Sequence, residues 1–197
     1  MNWANRLTLG RLALTVLFVF SLSSVWVYGR TIALVLFILA GISDYFDGEI
    51  ARRYQVVTRF GKLMDPLVDK VMTAAGFICL VPVGAVPAWV ATIVVARDFL
   101  ITGLRLLASS EGVVLPAERL GKHKTSWQIA TVIFFLLLLS TREIWPAVWR
   151  REWWQDAWLY GGDTLLWITI GLTIYSGLGY LWRHRGLITS PAHPEQL

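Results

Sequence analysis

Two short acidic segments, eight residues apart, determine how this chain folds: DYFDGEIAR at 44–52 and GKLMDPLVD at 61–69. Asp44 and Asp47 lie three residues apart near the end of one apolar run. Asp65 and Asp69 lie four residues apart at the start of the next. At either spacing, two side chains share one face of a helix. A short basic loop makes the two helices antiparallel neighbours, so we expect all four carboxylates to converge at one depth.

Four ionised carboxylates in a low-dielectric environment repel one another and need a compensating positive charge. Hard divalent cations, Mg²⁺ or Mn²⁺, prefer such oxygen ligands. Two of these ions would clamp the attacking and leaving oxygens of a phosphoryl transfer. The pattern therefore predicts a metal site with two ions, formed by Asp44, Asp47, Asp65 and Asp69.

The residues that follow the first acidic pair suit a phosphorylated substrate. Gly48 allows a substrate to approach the helix backbone closely, and Ala51 keeps the same face shallow. Arg52 offers a bidentate fork to a phosphate. Two structural alternatives remain: Asp65 and Pro66 as a helix N-cap and first position, and ion pairs of the first two aspartates with neighbouring arginines.

The rest of the chain has the composition of a membrane protein. It is 56% hydrophobic and 16% charged, with a mean hydropathy of +0.57. The apolar residues form long runs, each near the roughly 20 residues that cross a bilayer. We predict an all-α membrane protein with six transmembrane helices at about 7–27, 31–52, 66–83, 87–109, 125–140 and 164–182. Residues 1–186 would form one catalytic domain, and 187–197 a flexible cytoplasmic tail.

The charges between the runs predict the orientation in the membrane. One side carries ten basic residues: Arg6, Arg52, Arg53, Arg59, Lys62, Arg119, Lys122, Lys124, Arg183 and Arg185. The other side carries four: Arg30, Arg142, Arg150 and Arg151. By the positive-inside rule both termini and the acidic motif are cytoplasmic, in a bacterial-type inner membrane.

Other features exclude classes of site. The one cysteine, Cys79, excludes an intrachain disulfide and a cysteine-rich metal site. The net charge of +5 suits anionic lipid or a phosphorylated substrate, whereas the basic residues form no stripe typical of nucleic-acid binding. Five tryptophans within 144–160 indicate an amphipathic stretch on the outer membrane surface. The first run resembles a signal peptide, but Arg11 interrupts it and no good cleavage site follows.

The acidic motif resembles, position for position, the signature of the CDP-alcohol phosphatidyltransferases, D-x-x-D-G-x-x-A-R followed after eight residues by G-x-x-x-D-x-x-x-D. This resemblance implies a six-helix fold, a homodimer, and transfer of a phosphatidyl group from a CDP-linked lipid to an alcohol with release of CMP. It assigns the four aspartates to the metals and makes Asp69 the catalytic base for the acceptor hydroxyl. The CDP-lipid site would include Asn5, Thr8, Gly48, Ala51, Arg52 and Gly61.

Two further segments resemble the phosphatidylglycerophosphate synthases of this family, whose acceptor is sn-glycerol 3-phosphate. They are Ala96-Arg97-Asp98 with Gly103-Leu-Arg105, and Gly121-Lys122-His-Lys124-Thr125 with Gln128. Those enzymes usually carry Arg-Glu where this chain has Arg97-Asp98. The acceptor phosphate carries two negative charges and requires cations, so Arg105, Lys122 and Lys124 are predicted to bind it. Arg97 is equally consistent with a structural role that holds the bundle together.

Four alternatives remain open at the level of sequence. The acceptor could be another alcohol, such as inositol phosphate, serine, choline or phosphatidylglycerol. The aspartates could belong to a membrane prenyltransferase, although those enzymes have two separate acidic motifs and more spans. A divalent-cation transporter would place polar groups along the whole bundle, often with repeat symmetry. A purely structural membrane protein is the remaining alternative, and only the motif argues against it.

Overall fold

The computed structural model describes residues 3–54, 59–110, 119–183 and 185. Within these ranges the side chains of 3–8, 44–54, 59–66, 110 and 119–123 lie outside the description. The described chain is all-helical. Its long helices are α1 (Trp3–Ser23), α2 (Gly29–Tyr54), α3 (Arg59–Leu80), α4 (Ala88–Ser110) and α5 (Arg119–Ile144). Two short helices follow, α6 (Pro146–Trp149) and α7 (Glu152–Asp156), then a π-helical turn at Ala157–Gly161 and the last long helix, α8 (Gly162–Arg183).

The six long helices form one bundle around an apolar core. Helix α1 packs on α2 and α3, α2 packs on α5, and α8 packs on α4 and α5. Phe18 of α1 and Phe37 of α2 are fully buried, with ring centroids 5.3 Å apart. Phe77 and Leu136 bring α3 and α5 into the same core. The acidic motif therefore lies on two helices that belong to the same bundle.

Large apolar side chains also cover much of the outside of the bundle. Val16 and Phe20 on α1 are each 61% exposed, and Leu178 on α8 is 63% exposed. A water-soluble monomer rarely exposes so much apolar surface, whereas a bilayer solvates it well. Two segments are long and apolar enough to cross a membrane, Lys124–Ile144 and Glu152–Arg183. The fold and these segments indicate a membrane protein.

The other long helices fall short of that criterion for different reasons. The described apolar parts of α1 and α2 are shorter, at Leu9–Ser23 and Gly29–Ser43. Helices α3 and α4 carry five and three charged residues. The six predicted helices are confirmed as helices, and the six-span topology stays a prediction.

Two predicted helix starts were wrong. Helix α3 begins at Arg59 rather than at Pro66, so Asp65 and Pro66 lie inside the helix and not at its N-terminus. Helix α5 begins at Arg119 rather than at Thr125, so Lys122 and Lys124 are helical and not in a loop. Apolar runs locate the part of a helix inside lipid. Lys, Arg, Leu and Met are all good helix formers, which explains how both helices extend beyond their apolar runs.

The tryptophan-rich stretch is built from short helical pieces. It consists of α6, α7 and the π-helical turn, in which no residue is buried. Trp158 has its ring centroid 5.7 Å from that of Trp149 and 5.4 Å from that of Phe135 on α5. These aromatic contacts join this segment to α5.

Candidate active site

The acidic motif lies on two helices that contact each other. Asp44 and Asp47 belong to α2, and Asp65 and Asp69 belong to α3. Helix α2 contacts α3 directly. The side chains of Asp44, Asp47 and Asp65 lie outside the described residues, so the convergence of the four carboxylates stays a prediction. Among the described side chains, no group of three acidic, histidine or cysteine residues comes together.

Asp69 is the acidic residue of the motif whose side chain is described. Its Oδ2 accepts a charge-assisted hydrogen bond of 3.2 Å from Lys70 Nζ, and its side chain is 26% exposed. The hydroxyl of Thr73 donates to the Asp69 backbone carbonyl at 3.3 Å. A partly exposed carboxylate is a ligand that suits a hard divalent cation. The Asp69 carboxylate therefore fits the predicted metal, and the site with four aspartates stays a prediction.

A group of polar side chains, three of them charged, lies on α4, α5 and α8 inside the bundle. We call Arg97, Asp98, Lys124 and Ser176 the buried charge cluster. Asp98 Oδ1 contacts Lys124 Nζ, and it accepts a hydrogen bond of 3.3 Å from Arg97 Nη1. Arg97 Nη2 donates to the Ser176 hydroxyl at 3.1 Å. The cluster thus joins α4, α5 and α8, and Asp98 pairs with both cations.

The helix that carries Asp69 packs against both helices that supply the buried charges. Helix α3 contacts α4, which carries Arg97 and Asp98, and it contacts α5, which carries Lys124. The candidate base and these charged side chains therefore belong to three helices that pack together.

The structure distinguishes the three cations predicted to bind the acceptor phosphate. Lys124 is buried, with 1% of its surface exposed, and it contacts Asp98. Arg105 is half-buried; its Nε donates to the Tyr180 hydroxyl at 3.3 Å, and its guanidinium lies 5.3 Å from the Tyr180 ring centroid. The side chain of Lys122 on α5 lies outside the described residues. The phosphate-binding role of all three stays a prediction.

The residues predicted to bind the CDP-lipid lie in helices, but their side chains are outside the description. Asn5 and Thr8 belong to α1, and Gly61 belongs to α3. Gly48, Ala51 and Arg52 belong to α2. On α2, residues 48–52 directly follow Asp47 along the same helix. Their contacts with a substrate stay predictions.

A polar face on α8 was missed by reasoning from sequence, which treated the last run as a generic span. Thr169, Thr173, Ser176 and Tyr180 are all buried. Their spacings of four, three and four residues place them on one helix face. Arg97 bonds to Ser176 and Arg105 bonds to Tyr180, so this face supports both arginines of α4. Hydroxyl residues at helical spacing inside the last span were the signal that could have revealed it.

Comparison with known proteins agrees with the acidic motif. The sequence profile of the CDP-alcohol phosphatidyltransferase family matches residues 1–175. A Bacillus subtilis protein named CDP-diacylglycerol–glycerol-3-phosphate 3-phosphatidyltransferase is 34% identical over 91% of this chain and 93% of its own length.

Two further relatives carry the same or an equivalent name. A Rickettsia bellii protein with the same name is 32% identical over 91% of this chain and 93% of its own length. A Mycobacterium tuberculosis protein named probable phosphatidylglycerophosphate synthase is 38% identical over 71% of this chain and 68% of its own length. The matched region includes the whole acidic motif, the buried charge cluster apart from Ser176, and Arg105. The chain belongs to the CDP-alcohol phosphatidyltransferase family.

Proposed function

We propose that this protein transfers the phosphatidyl group of CDP-diacylglycerol to sn-glycerol 3-phosphate, giving phosphatidylglycerophosphate and CMP. The observation that carries the proposal is family membership, joined to relatives of that name that match most of the chain. The part-buried guanidinium of Arg105 supports it, because the acceptor carries a phosphate of two negative charges.

The reaction forms one phosphorus–oxygen bond and breaks another. Asp69 accepts the proton of the glycerol phosphate 1-hydroxyl as that oxygen attacks the phosphorus bonded to the diacylglycerol. The bond from this phosphorus to CMP breaks, and CMP leaves with the bonding electrons. Asp69 is partly exposed and accepts a hydrogen bond from Lys70 through Oδ2, so its carboxylate is accessible to a substrate hydroxyl.

The substrates are held by residues on four helices. Arg52 binds the diphosphate, while Gly48 and Ala51 leave room for the cytidine nucleotide. Arg105, Lys122 and Lys124 bind the acceptor phosphate. Asp44, Asp47, Asp65 and Asp69 hold Mg²⁺ or Mn²⁺, which when bound supplies positive charge that neutralises the diphosphate. The hydrogen bond from Arg105 to Tyr180 supports its part in this arrangement, because it fixes the guanidinium at the end of α4.

We further propose that six helices cross the membrane, with both termini and the active site in the cytoplasm, and that two copies form a homodimer. The excess of ten basic residues over four on the predicted inner side supports this orientation. The lipid donor would enter laterally from the bilayer.

The deciding experiment follows CMP release by purified protein from CDP-diacylglycerol and a panel of alcohols, with and without a chelator. Glycerol 3-phosphate is expected to be the preferred acceptor, and the chelator is expected to abolish turnover. Release of CMP only with inositol phosphate or another alcohol would reject the acceptor. Metal flux into liposomes without CMP release would support a cation transporter instead.

A further inference from the structure

Two buried polar side chains beside the buried charge cluster lack hydrogen-bond partners among the described residues. Gln128 on α5 is 0% exposed, and neither its amide oxygen nor its amide nitrogen is bonded. Thr173 on α8 is also 0% exposed, and its hydroxyl is not bonded. An unpaired buried amide or hydroxyl is costly, so native proteins almost always provide a partner.

The two side chains lie at about the same level of one helix pair. Helices α5 and α8 are antiparallel, since Phe135 meets Gly162 at one end and the Thr131 and Thr169 hydroxyls pair at 2.8 Å further along. Gln128 comes three residues before Thr131, and Thr173 comes four residues after Thr169. At about 1.5 Å per residue, both lie roughly one turn beyond the threonine pair.

Both side chains also face the shared interface. Lys124, Gln128 and Thr131 are spaced by four and three residues, so they lie on the face of α5 that meets α8. Thr169, Thr173 and Ser176 share a face of α8 for the same reason. The level of Gln128 and Thr173 therefore lies between the hydrogen-bonded threonine pair on one side and the buried charge cluster on the other.

The chemistry of this level suits a single hydroxyl group. A glutamine amide donates through its nitrogen and accepts through its oxygen, and a threonine hydroxyl does both. A bound hydroxyl would satisfy them, whereas a phosphate would leave the amide oxygen without a donor. Lys124 lies one helical turn from Gln128 on α5, and α5 packs against α3, the helix that carries the candidate base Asp69.

We propose that Gln128 and Thr173 bind the secondary hydroxyl of the acceptor glycerol phosphate and determine specificity for it; this inference rests on the proposed function. The acceptor has three polar groups. Its phosphate binds the cations, its primary hydroxyl gives its proton to Asp69, and its secondary hydroxyl binds Gln128 and Thr173. A buried water would offer the same hydrogen bonds, so the test must separate the two sources.

The test compares two acceptors, glycerol 3-phosphate and 3-hydroxypropyl phosphate, which lacks only the secondary hydroxyl. The wild-type kcat/KM is expected to favour glycerol phosphate by about tenfold to hundredfold, the value of one buried hydrogen-bonded hydroxyl. Gln128→Leu is expected to lower kcat/KM for glycerol phosphate and leave that for the analogue nearly unchanged. Thr173→Val should reduce the preference less than Gln128→Leu does, because it removes one hydrogen-bonding atom and not two.

The matched control is Thr131→Val, one turn away on the same face of α5, whose discrimination ratio should equal the wild-type ratio. If Gln128→Leu lowers activity with both acceptors equally, the pair binds water or supports the fold, and the inference is wrong. If the Gln128→Leu variant prefers glycerol phosphate as strongly as the wild type does, the inference is overturned too. Failure of the proposed function looks different, because the wild-type protein would then release no CMP with either acceptor.

Discussion

Asp98 receives hydrogen bonds from two cations on different helices, and its side chain is almost completely buried. Arg97 comes from the same helix, and Lys124 comes from α5. Charges buried in this way are stable only as a set, because each loses its hydration and regains the energy through its partner. Asp98 therefore pairs both within α4, with Arg97, and across to α5, with Lys124.

Asp98→Asn is expected to destabilise the protein by about 3–5 kcal/mol, because Lys124 and Arg97 would then lack their counter-charge. Denaturant unfolding in detergent micelles measures the loss. Asp156→Asn, at an exposed carboxylate in α7, is the control and should unfold like the wild type. The combination of Asp98→Leu with Lys124→Met should recover part of the stability, and equal stability of Asp98→Asn and the wild type would contradict this account.

Asp69→Asn is expected to lower the turnover number by about 10²–10⁴-fold while CDP-lipid binding stays near normal, since an amide cannot accept the acceptor proton. Single-turnover CMP release and equilibrium binding of the lipid nucleotide measure the two quantities. The exposed Asp163 supplies the comparison variant Asp163→Asn, which should keep full turnover. A rate above about a tenth of the wild-type rate in Asp69→Asn would remove this residue as the base.

Sequence reasoning identified the acidic motif because its spacing is local, and helical periodicity converts local spacing into a shared face. It did not find the contacts of Asp98 or the role of Ser176. The contact of Asp98 with Lys124 joins residues 26 positions apart, and that of Arg97 with Ser176 joins residues 79 positions apart, so no local pattern encodes them. Thr173 and Ser176 are also small enough to pass as ordinary members of an apolar helix.

Among the helices, the first turn of α2 depends on a residue from another helix. Glu143 at the end of α5 accepts hydrogen bonds from the backbone N–H groups of Arg30 and Thr31, at 3.0 and 2.9 Å. It also accepts one from the Thr31 hydroxyl at 2.8 Å. The carboxylate therefore satisfies N–H groups that have no partner within α2 and faces the positive end of that helix dipole.

Glu143→Gln is expected to lower stability by about 1 kcal/mol, since it removes the negative charge at the N-terminus of α2 and leaves one donor without an acceptor. A thermal melt in detergent measures the change. Glu152→Gln, in an exposed position of α7, is the matched control with the same chemistry and no such contacts. Enzyme activity below the melting temperature should remain, and an unchanged melt would argue against the cap.

Some glycines lie where helices pack closely, and others lie where nothing is near. A Cβ on Gly76 would lie 3.0 Å from Val132 Cγ1 and 3.1 Å from Phe37 Cε2, so α3 approaches α5 and α2 closely there. Gly76→Ala should destabilise by about 1–3 kcal/mol through overpacking. Gly41→Ala, where nothing lies within 4 Å, should be neutral or stabilising by up to about 1 kcal/mol. Equal melting temperatures for the two variants would contradict this packing.

At the scale of the whole molecule, apolar patterning predicted the six long helices and their order. It placed helix starts poorly, since charged helix formers continue α3 and α5 beyond their apolar runs. It assigned α2 and α3 as neighbours but not the other pairs, because contacts such as that between α8 and α4 depend on side chains distant in sequence. The topology in the bilayer is the part that an experiment must supply.

The predicted orientation can be tested with the single native cysteine removed. In a Cys79→Ser background, Trp153→Cys at the predicted outer surface and Arg183→Cys at the predicted inner surface are both at exposed positions. A membrane-impermeant maleimide should label position 153 in intact spheroplasts and position 183 in inverted vesicles. The reverse labelling pattern would place the acidic motif outside, and labelling of both from one side would contradict an odd number of crossings between them.

If α4 and α5 both cross the membrane, as the proposed topology has it, the sharing of Asp98 between Arg97 and Lys124 also constrains how the chain enters the bilayer during synthesis. On its own, α4 would have to bring Arg97 and Asp98 into hydrocarbon at a cost of about 5–7 kcal/mol. The cation that offsets much of this cost belongs to α5, which the ribosome makes later. The middle of the chain is therefore expected to wait beside the translocon until α5 emerges, so that the two helices enter the lipid together.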